Sequence, residues 1–114
     1  MNNDIYHDIC HEVARLRYDK NNLAERLVKR IKRKYKENIE KQIIEQIIHD
    51  VDLLYNYTAK KLPEFIVPST TGYADPQFMK MDDLLEDIKK KFPKTDKVVM
   101  AHVARWVMYW EYLR

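Results

Sequence analysis

The sequence predicts an all-α protein: a small bundle of about five helices with one long irregular loop at about 63–77. Two observations predict this fold class. Apolar residues recur at three- and four-residue spacing over most of the chain, and a single Gly with four Pro leaves little material for tight β-turns. The length of 114 residues fits one domain, 1–114, and a hydrophobic share of 46% is enough for a core.

The stretch 39–62 is expected to be the central helix of this bundle. Its apolar residues cover about half of the helix circumference, so the helix should contact more than one neighbour. Lys60, Lys61 and Pro63 mark its end, because cations suit the negative end of the helix dipole and proline cannot continue the hydrogen-bond ladder.

Two shorter helices are predicted before it, at about 4–18 and 23–36. The first carries two stripes nearly opposite each other: one is apolar (Ile5, Ile9, Val13 and Leu16), and the second consists of His7, His11, Ala14 and Tyr18. One should face the core, and the other is either solvated or a contact face. Asn22 and Glu25 have the spacing of a capping box for the second helix. Either the chain then turns near 37–38, which we favour, or one long helix runs through to the central helix.

Two further helices are predicted after the loop. Asp75 and Pro76 suit the start of helix four, and Thr95 is expected to cap helix five, which runs from 96 to about 113. Helix five is apolar on nearly every side, so one side should remain uncovered and drive self-association as a homodimer. In the alternative, helix one or the apolar segment 65–67 covers this side within one chain. The predicted interface consists of Met100, Ala104, Val107 and Met108.

The basic helix at 22–36 carries the strongest functional signal. Clustered cations on one helical face suit contacts with phosphates, and contacts to the nucleic-acid backbone are favoured because residues that read bases are scarce there. A solvated face, a face paired with the acids of helix four, an anionic membrane surface and an acidic protein partner all remain open. The predicted anion-binding residues are Arg26, Lys29, Arg30, Lys32, Arg33 and Lys36.

No catalytic or metal-binding motif stands out among the other residues. His7 and His11 have the i,i+4 spacing of two metal ligands, but no second pair with such spacing follows, so solvent or interface histidines are the default. The segment 69–72 lacks the lysine of a phosphate-binding loop. We therefore expect a non-enzymatic protein without metal or cofactor. A cluster of aromatic residues is expected in the core or a subunit interface, with base stacking as the alternative: Trp106, Tyr109, Trp110 and Tyr112.

The compartment expected from the sequence is the cytoplasm. Cys10 is the single cysteine and cannot form an internal disulfide, the polar start is unlike a signal peptide, and the apolar segment 98–113 is shorter than the ~20 residues that span a bilayer. The first functional hypothesis is a binder of nucleic acid or anionic nucleotides. The second is a protein-interaction module, an inhibitor or assembly factor acting as a homo-oligomer. The residue usage also suits an accessory protein of a phage or mobile element.

Overall fold

A computed structural model of the chain describes residues 1–65 and 80–113, the last of these by its backbone alone. Within these residues there are five α-helices and no β-strand, which confirms the predicted fold class. A 3-10 turn, Leu62–Phe65, extends the third helix, and a π-helical turn, Tyr109–Leu113, extends the fifth. The helices are α1 (Asn3–Arg15), α2 (Leu23–Tyr35), α3 (Lys41–Lys61), α4 (Met81–Lys91) and α5 (Lys97–Met108).

Two of the predicted helix caps differ from those in the structure. Asp96, not Thr95, caps α5, because its Oδ1 accepts a hydrogen bond from the Val98 N–H at 2.7 Å. The capping box of α2 does not form. Asn22 takes the left-handed conformation at φ 53° and makes no side-chain cap bond, and the Glu25 carboxylate pairs instead with Lys41 at 2.6 Å.

The chain turns between α2 and α3, as favoured from the sequence. Lys36 ends α2 in the left-handed conformation at φ 60°, and its N–H donates to the Lys32 carbonyl at 3.0 Å. The extended Glu40 then starts α3. Because of this turn, α2 and α3 are separate helices that pack against each other.

The core of the bundle lies around α3, which contacts α1, α2, α4 and α5. This agrees with the wide apolar arc of the central helix. Its buried side chains follow the three- and four-residue spacing of a helix with one broad core face. They are Ile44, Ile47, Val51, Leu54, Tyr55 and Thr58.

The second stripe of α1 is a contact face against α5. His7 Nε2 lies 3.1 Å from Asp96 Oδ2 at the start of α5. The His11 ring lies 5.2 Å from that of His102 and 5.6 Å from that of Trp106, measured between centroids. The opposite stripe of α1 is buried in the core. Helix α1 therefore fills a layer between its neighbours instead of presenting one face to water.

This placement of α1 corrects the prediction of an uncovered side on α5. The structure packs α5 against α1, α3 and α4, and the four residues assigned to a dimer interface are core residues of the single chain. The homodimer stays a prediction, but the exposed apolar patch that motivated it is absent from the described surface of α5. The exposed fractions are 1% for Met100, 0% for Ala104 and Val107, and 4% for Met108.

Several sequence predictions concern residues outside the described part of the chain. These are the helix start at 75–76, the segment 69–72, most of the loop at 63–77, and residues 66–67 of the apolar segment. Helix α4 is described from Met81 onwards, and the Lys80 N–H donates to the Phe65 carbonyl at 2.9 Å. Among the described helices, none combines the length and apolar character needed to cross a membrane.

Candidate anion-binding surface

The amphipathic pattern of α2 fixes which of its side chains reach the surface. Its apolar residues pack inward, mainly towards α3, which turns the basic side of the helix outward. The six predicted anion-binding residues do not share one environment on that side. Two of them form ion pairs with acids from neighbouring segments, and four form none with any residue that the structure describes. The buried residues of α2 are Leu23, Ala24, Leu27 and Ile31.

The first group of cations faces α1. Asp8 accepts hydrogen bonds from Arg30 Nε at 2.9 Å, Lys34 Nζ at 2.9 Å and the Tyr35 hydroxyl at 2.7 Å. Arg30 also lies 3.3 Å from Glu12, which is buried at the same helix contact. We refer to Asp8, Glu12, Arg30, Lys34 and Tyr35 as the α1–α2 charge cluster.

The charge cluster holds Asp8 in its ionised form. Burial by itself would raise the pKa of Asp8, but the hydrogen bonds from Arg30, Lys34 and Tyr35 outweigh it and lower the pKa to about 2. The same contact raises the pKa of Arg30. Only 7% of the Asp8 side chain is exposed, whereas 31% of Arg30 and 52% of Lys34 are, so water screens the cations more than the carboxylate. The cluster therefore fastens α2 to α1.

Arg26 is also paired. Its guanidinium lies 3.3 Å from Asp19 Oδ2 and donates to the Asn21 carbonyl at 3.2 Å, so it secures the break between the first two helices. Because Arg26 and Arg30 are both bound to acids, they are less available to an external anion than the sequence indicated.

The second group of cations points to solvent from one strip of α2. These residues have the i, i+3, i+4, i+7 spacing of a single helical face, and all of them are exposed. None of them forms an ion pair with a residue in 1–65 or 80–113. We call this strip the outer cation face; it consists of Lys29, Lys32, Arg33 and Lys36.

A groove of about 310 Å³ lies beside the outer cation face, between α1 and α2. Lys29 and Arg33 form part of its wall, and Arg15 contributes from α1. Glu12 is the acid of this groove, and it is bound by Arg15 at 2.6 Å as well as by Arg30. We call this the basic groove. It is lined by Glu12, Arg15, Leu16, Leu23, Arg26, Leu27, Lys29, Arg30 and Arg33.

A larger cleft of about 870 Å³ lies between α1 and the C-terminal end of α5. Its walls are largely aromatic: the Trp106 ring lies 5.5 Å from that of Tyr109 and 6.5 Å from that of Trp110. We call this the aromatic cleft. It is lined by His11, Arg15, Leu16, Tyr18, Asp19, His102, Arg105, Trp106, Tyr109 and Trp110.

The aromatic cleft is one feature that the sequence reasoning missed. Three of the four aromatic residues expected in the core or in an interface line this cleft; Trp106 also packs against the core, as predicted, whereas Tyr109 is 45% exposed. Tyr112 packs against the core. The charge cluster was missed as well, although Asp8 and Glu12 at i,i+4 on a predicted helix were a usable signal for pairing with the cations of α2.

The residues considered for metal or thiol chemistry serve packing in the described structure. His7 pairs with Asp96, His11 stacks against α5, and no three potential ligands converge within the described residues. Cys10 is buried, and this burial raises the pKa of its thiol to about 12. It is therefore a thiol at neutral pH, not a thiolate.

Comparison with known proteins assigns the chain to no family. The chain matches no protein-family model, no curated protein and no solved structure.

Proposed function

We propose that this chain is a small non-enzymatic binding protein that contacts nucleic acid, or an anionic nucleotide, through the outer cation face of α2. The observation that carries this proposal is the contrast between neighbouring cations on one helix. Arg26 and Arg30 are bound to acids, whereas four others on an adjacent strip are exposed and form no ion pair with a residue in 1–65 or 80–113. Glu25, one helical turn before Lys29, is the acid nearest to this strip, and its carboxylate is paired with Lys41 at 2.6 Å.

The repulsion among the cations of the outer cation face supports a role for this face in binding an anion. Like charges at i,i+3 and i,i+4 on one helix repel each other by a few tenths of a kcal/mol per pair. Lys29, Lys32 and Arg33 form such pairs. A polyanion relieves this repulsion, because its phosphates lie between the cations and its counterions are released on binding.

The test is a mobility-shift or anisotropy titration at several salt concentrations, with the wild-type chain and a variant in which Lys29, Lys32, Arg33 and Lys36 are all changed to Gln. Four phosphate contacts predict that the logarithm of the affinity falls with the logarithm of the salt concentration with a slope of about −3. The variant should lose binding at low salt.

A matched variant distinguishes binding at the outer cation face from a general effect of net charge. Changing four exposed lysines outside α2 to Gln removes the same total charge from other parts of the bundle. These lysines are Lys60, Lys90, Lys91 and Lys94. This control should bind polyanions nearly as well as the wild type. If both variants weaken binding equally, the attraction is a general effect of charge and the proposal fails.

The alternative is a protein-interaction module, with or without self-association. Exposed cations also suit an acidic protein partner, and the same salt titration with a polyanionic peptide addresses that possibility. Light scattering at micromolar concentration decides the oligomeric state: a dimer mass supports the alternative, and a monomer mass removes its homo-oligomeric form.

A further inference from the structure

The aromatic cleft and the basic groove are two parts of one surface. Arg15 and Leu16, at the end of α1, line both of them. Arg15 thus lies between the aromatic residues of α5 and the cations of α2, and its guanidinium is bound to Glu12 at 2.6 Å. A ligand that fills the cleft and passes over Arg15 therefore enters the groove that leads to the outer cation face.

The cleft offers ring faces for stacking. Tyr109 is 45% exposed and stands nearly perpendicular to Trp106, at an interplanar angle of 88°. The Trp110 indole is held in place because its Nε1 donates to the Arg15 carbonyl at 3.0 Å. The walls are thus rigid aromatic surfaces anchored to α1, of the kind on which unpaired bases stack.

The charges at the cleft suit a ligand that is planar and anionic. Arg105 stands at the cleft with an exposed side chain and has no ion pair with any described residue. Arg15 is exposed at the cleft as well, but it is bound to Glu12, so Arg105 is the cation available to a ligand there. Asp19 is the one carboxylate among the lining residues, and Arg26 binds it at 3.3 Å. His102 adds a ring whose pKa is lowered by burial and then by His11 and Arg105. An uncharged imidazole can stack on a base.

We propose that the aromatic cleft stacks unpaired bases of a single-stranded nucleic acid whose phosphates continue through the basic groove to the outer cation face. The inference rests on the proposed function and specifies its ligand. Cations alone would bind the phosphates of single strands and of duplexes alike. The cleft favours single strands, because the faces of the bases are inaccessible in a duplex. Aromatic stacking beside a cationic track is the arrangement by which proteins hold single strands.

The two tryptophans of the chain, Trp106 and Trp110, both line this cleft, so tryptophan emission, excited selectively over the eight tyrosines, reports on the cleft. The experiment titrates the full chain at low salt with a single strand of about 15 nucleotides, a duplex of equal length and adenosine monophosphate. Binding is followed by anisotropy of a label on the nucleic acid and by tryptophan emission. The single strand should bind at least about fivefold more tightly than the duplex, and it should quench the tryptophans.

Variants at Tyr109 locate the effect. Tyr109→Ala should weaken single-strand binding at least about fivefold and leave duplex binding unchanged, and Tyr109→Phe should keep the wild-type affinity because the ring remains. Phe92→Leu is the matched aromatic control: Phe92 packs on Tyr57 at 5.5 Å, away from the cleft, and its loss should leave both affinities unchanged. If Tyr109→Ala does not fold, quenching of the wild type still decides the question.

The outcomes distinguish this inference from the proposed function. Equal affinity for strand and duplex without tryptophan quenching overturns the inference and leaves binding through α2 intact. Adenosine monophosphate that quenches as strongly as the strand, at similar concentration, identifies a free nucleotide as the ligand and overturns the single-strand proposal. If neither strand, duplex nor nucleotide binds, both the inference and the proposed function fail.

Discussion

The two sides of α2 carry the same kinds of residue and have opposite roles. Towards α1, Arg30 and Lys34 meet Asp8, whose carboxylate is nearly buried. On the outer cation face, Lys32 and Lys36 are exposed and form no ion pair with a described residue. A cation of α2 therefore contributes to stability only where a neighbouring segment supplies an acid, as Asp8 does for Arg30 and Asp19 does for Arg26. The remaining cations repel one another and are available to a ligand.

The largest expected effect is on the paired side. Asp8→Ala leaves Arg30, Lys34 and the Tyr35 hydroxyl without their shared acceptor at a helix contact, and it should destabilise the chain by about 3 kcal/mol. Urea unfolding at neutral pH measures this change. Lys32→Gln is the control from the solvent side and should stay within about 0.5 kcal/mol of wild type. Equal effects of the two substitutions would contradict the distinction between the sides.

The second effect is the pH dependence of that contact. The pKa of Asp8 is about 2 in the folded chain against 3.8 for the ordinary group, so its ionisation stabilises the fold above about pH 4, and this stabilisation is lost as the pH falls towards 2. The stability difference between wild type and Asp8→Asn should shrink by about 1 kcal/mol by about pH 3 and by about 2 kcal/mol by about pH 2. A difference that stays constant from neutral pH to about pH 3 would show that Asp8 titrates normally.

The same contrast shows what local sequence can and cannot predict. The amphipathic spacing of α2 depends on residues within a few turns, so its core side and its basic side were both predictable. The contact of Asp8 with Arg30 joins residues 22 apart in sequence. It depends on how α1 lies against α2, which periodicity does not specify.

The aromatic cleft was unpredictable for a different reason. The valines around Trp106 have helical spacing, and that spacing favoured a buried helix throughout. The structure instead ends α5 at Met108 and continues in a π-helical turn, Tyr109–Leu113. A π turn changes the angular spacing of successive side chains, so an α-helical period does not place the residues that follow Tyr109. The exposed Tyr109 is the first residue of this turn.

A smaller effect is expected when two double variants, one on each side of α2, are compared in stability. Arg26→Gln with Arg30→Gln removes ion pairs to Asp19, Asp8 and Glu12, and it should lower the stability by about 1–2 kcal/mol. Lys32→Gln with Lys36→Gln removes the same charge and should leave the stability unchanged or raise it by a few tenths of a kcal/mol.

Thermal melts at low and high salt measure both variants. Added salt should reduce the stability that the lysine variant gains over the wild type, because salt screens the repulsion that the substitutions relieve. An arginine variant as stable as the wild type would mean that the ion pairs at the α1–α2 contact contribute nothing net.

The smallest expected effect is at Lys36, where two substitutions distinguish the role of the charge from that of the backbone conformation. Lys36 belongs to the outer cation face and also ends α2 in the left-handed region at φ 60°. A non-glycine residue pays about 1 kcal/mol there, so Lys36→Gly should stabilise the chain by about 0.5–1 kcal/mol despite its greater freedom when unfolded. Lys36→Gln keeps the strained conformation and should stabilise the chain by only a few tenths of a kcal/mol, because the repulsion between cations is reduced.

Both Lys36 substitutions remove one cation, so they should lower the salt dependence of polyanion binding by the same amount, about 0.7–0.9 in the logarithmic slope. Stability and binding are then decoupled at one position: glycine and glutamine differ in the urea midpoint and agree in the salt slope. If the two variants have the same midpoint, the left-handed conformation imposes no cost. If their slopes differ, Lys36 positions α2 as well as contributing its charge.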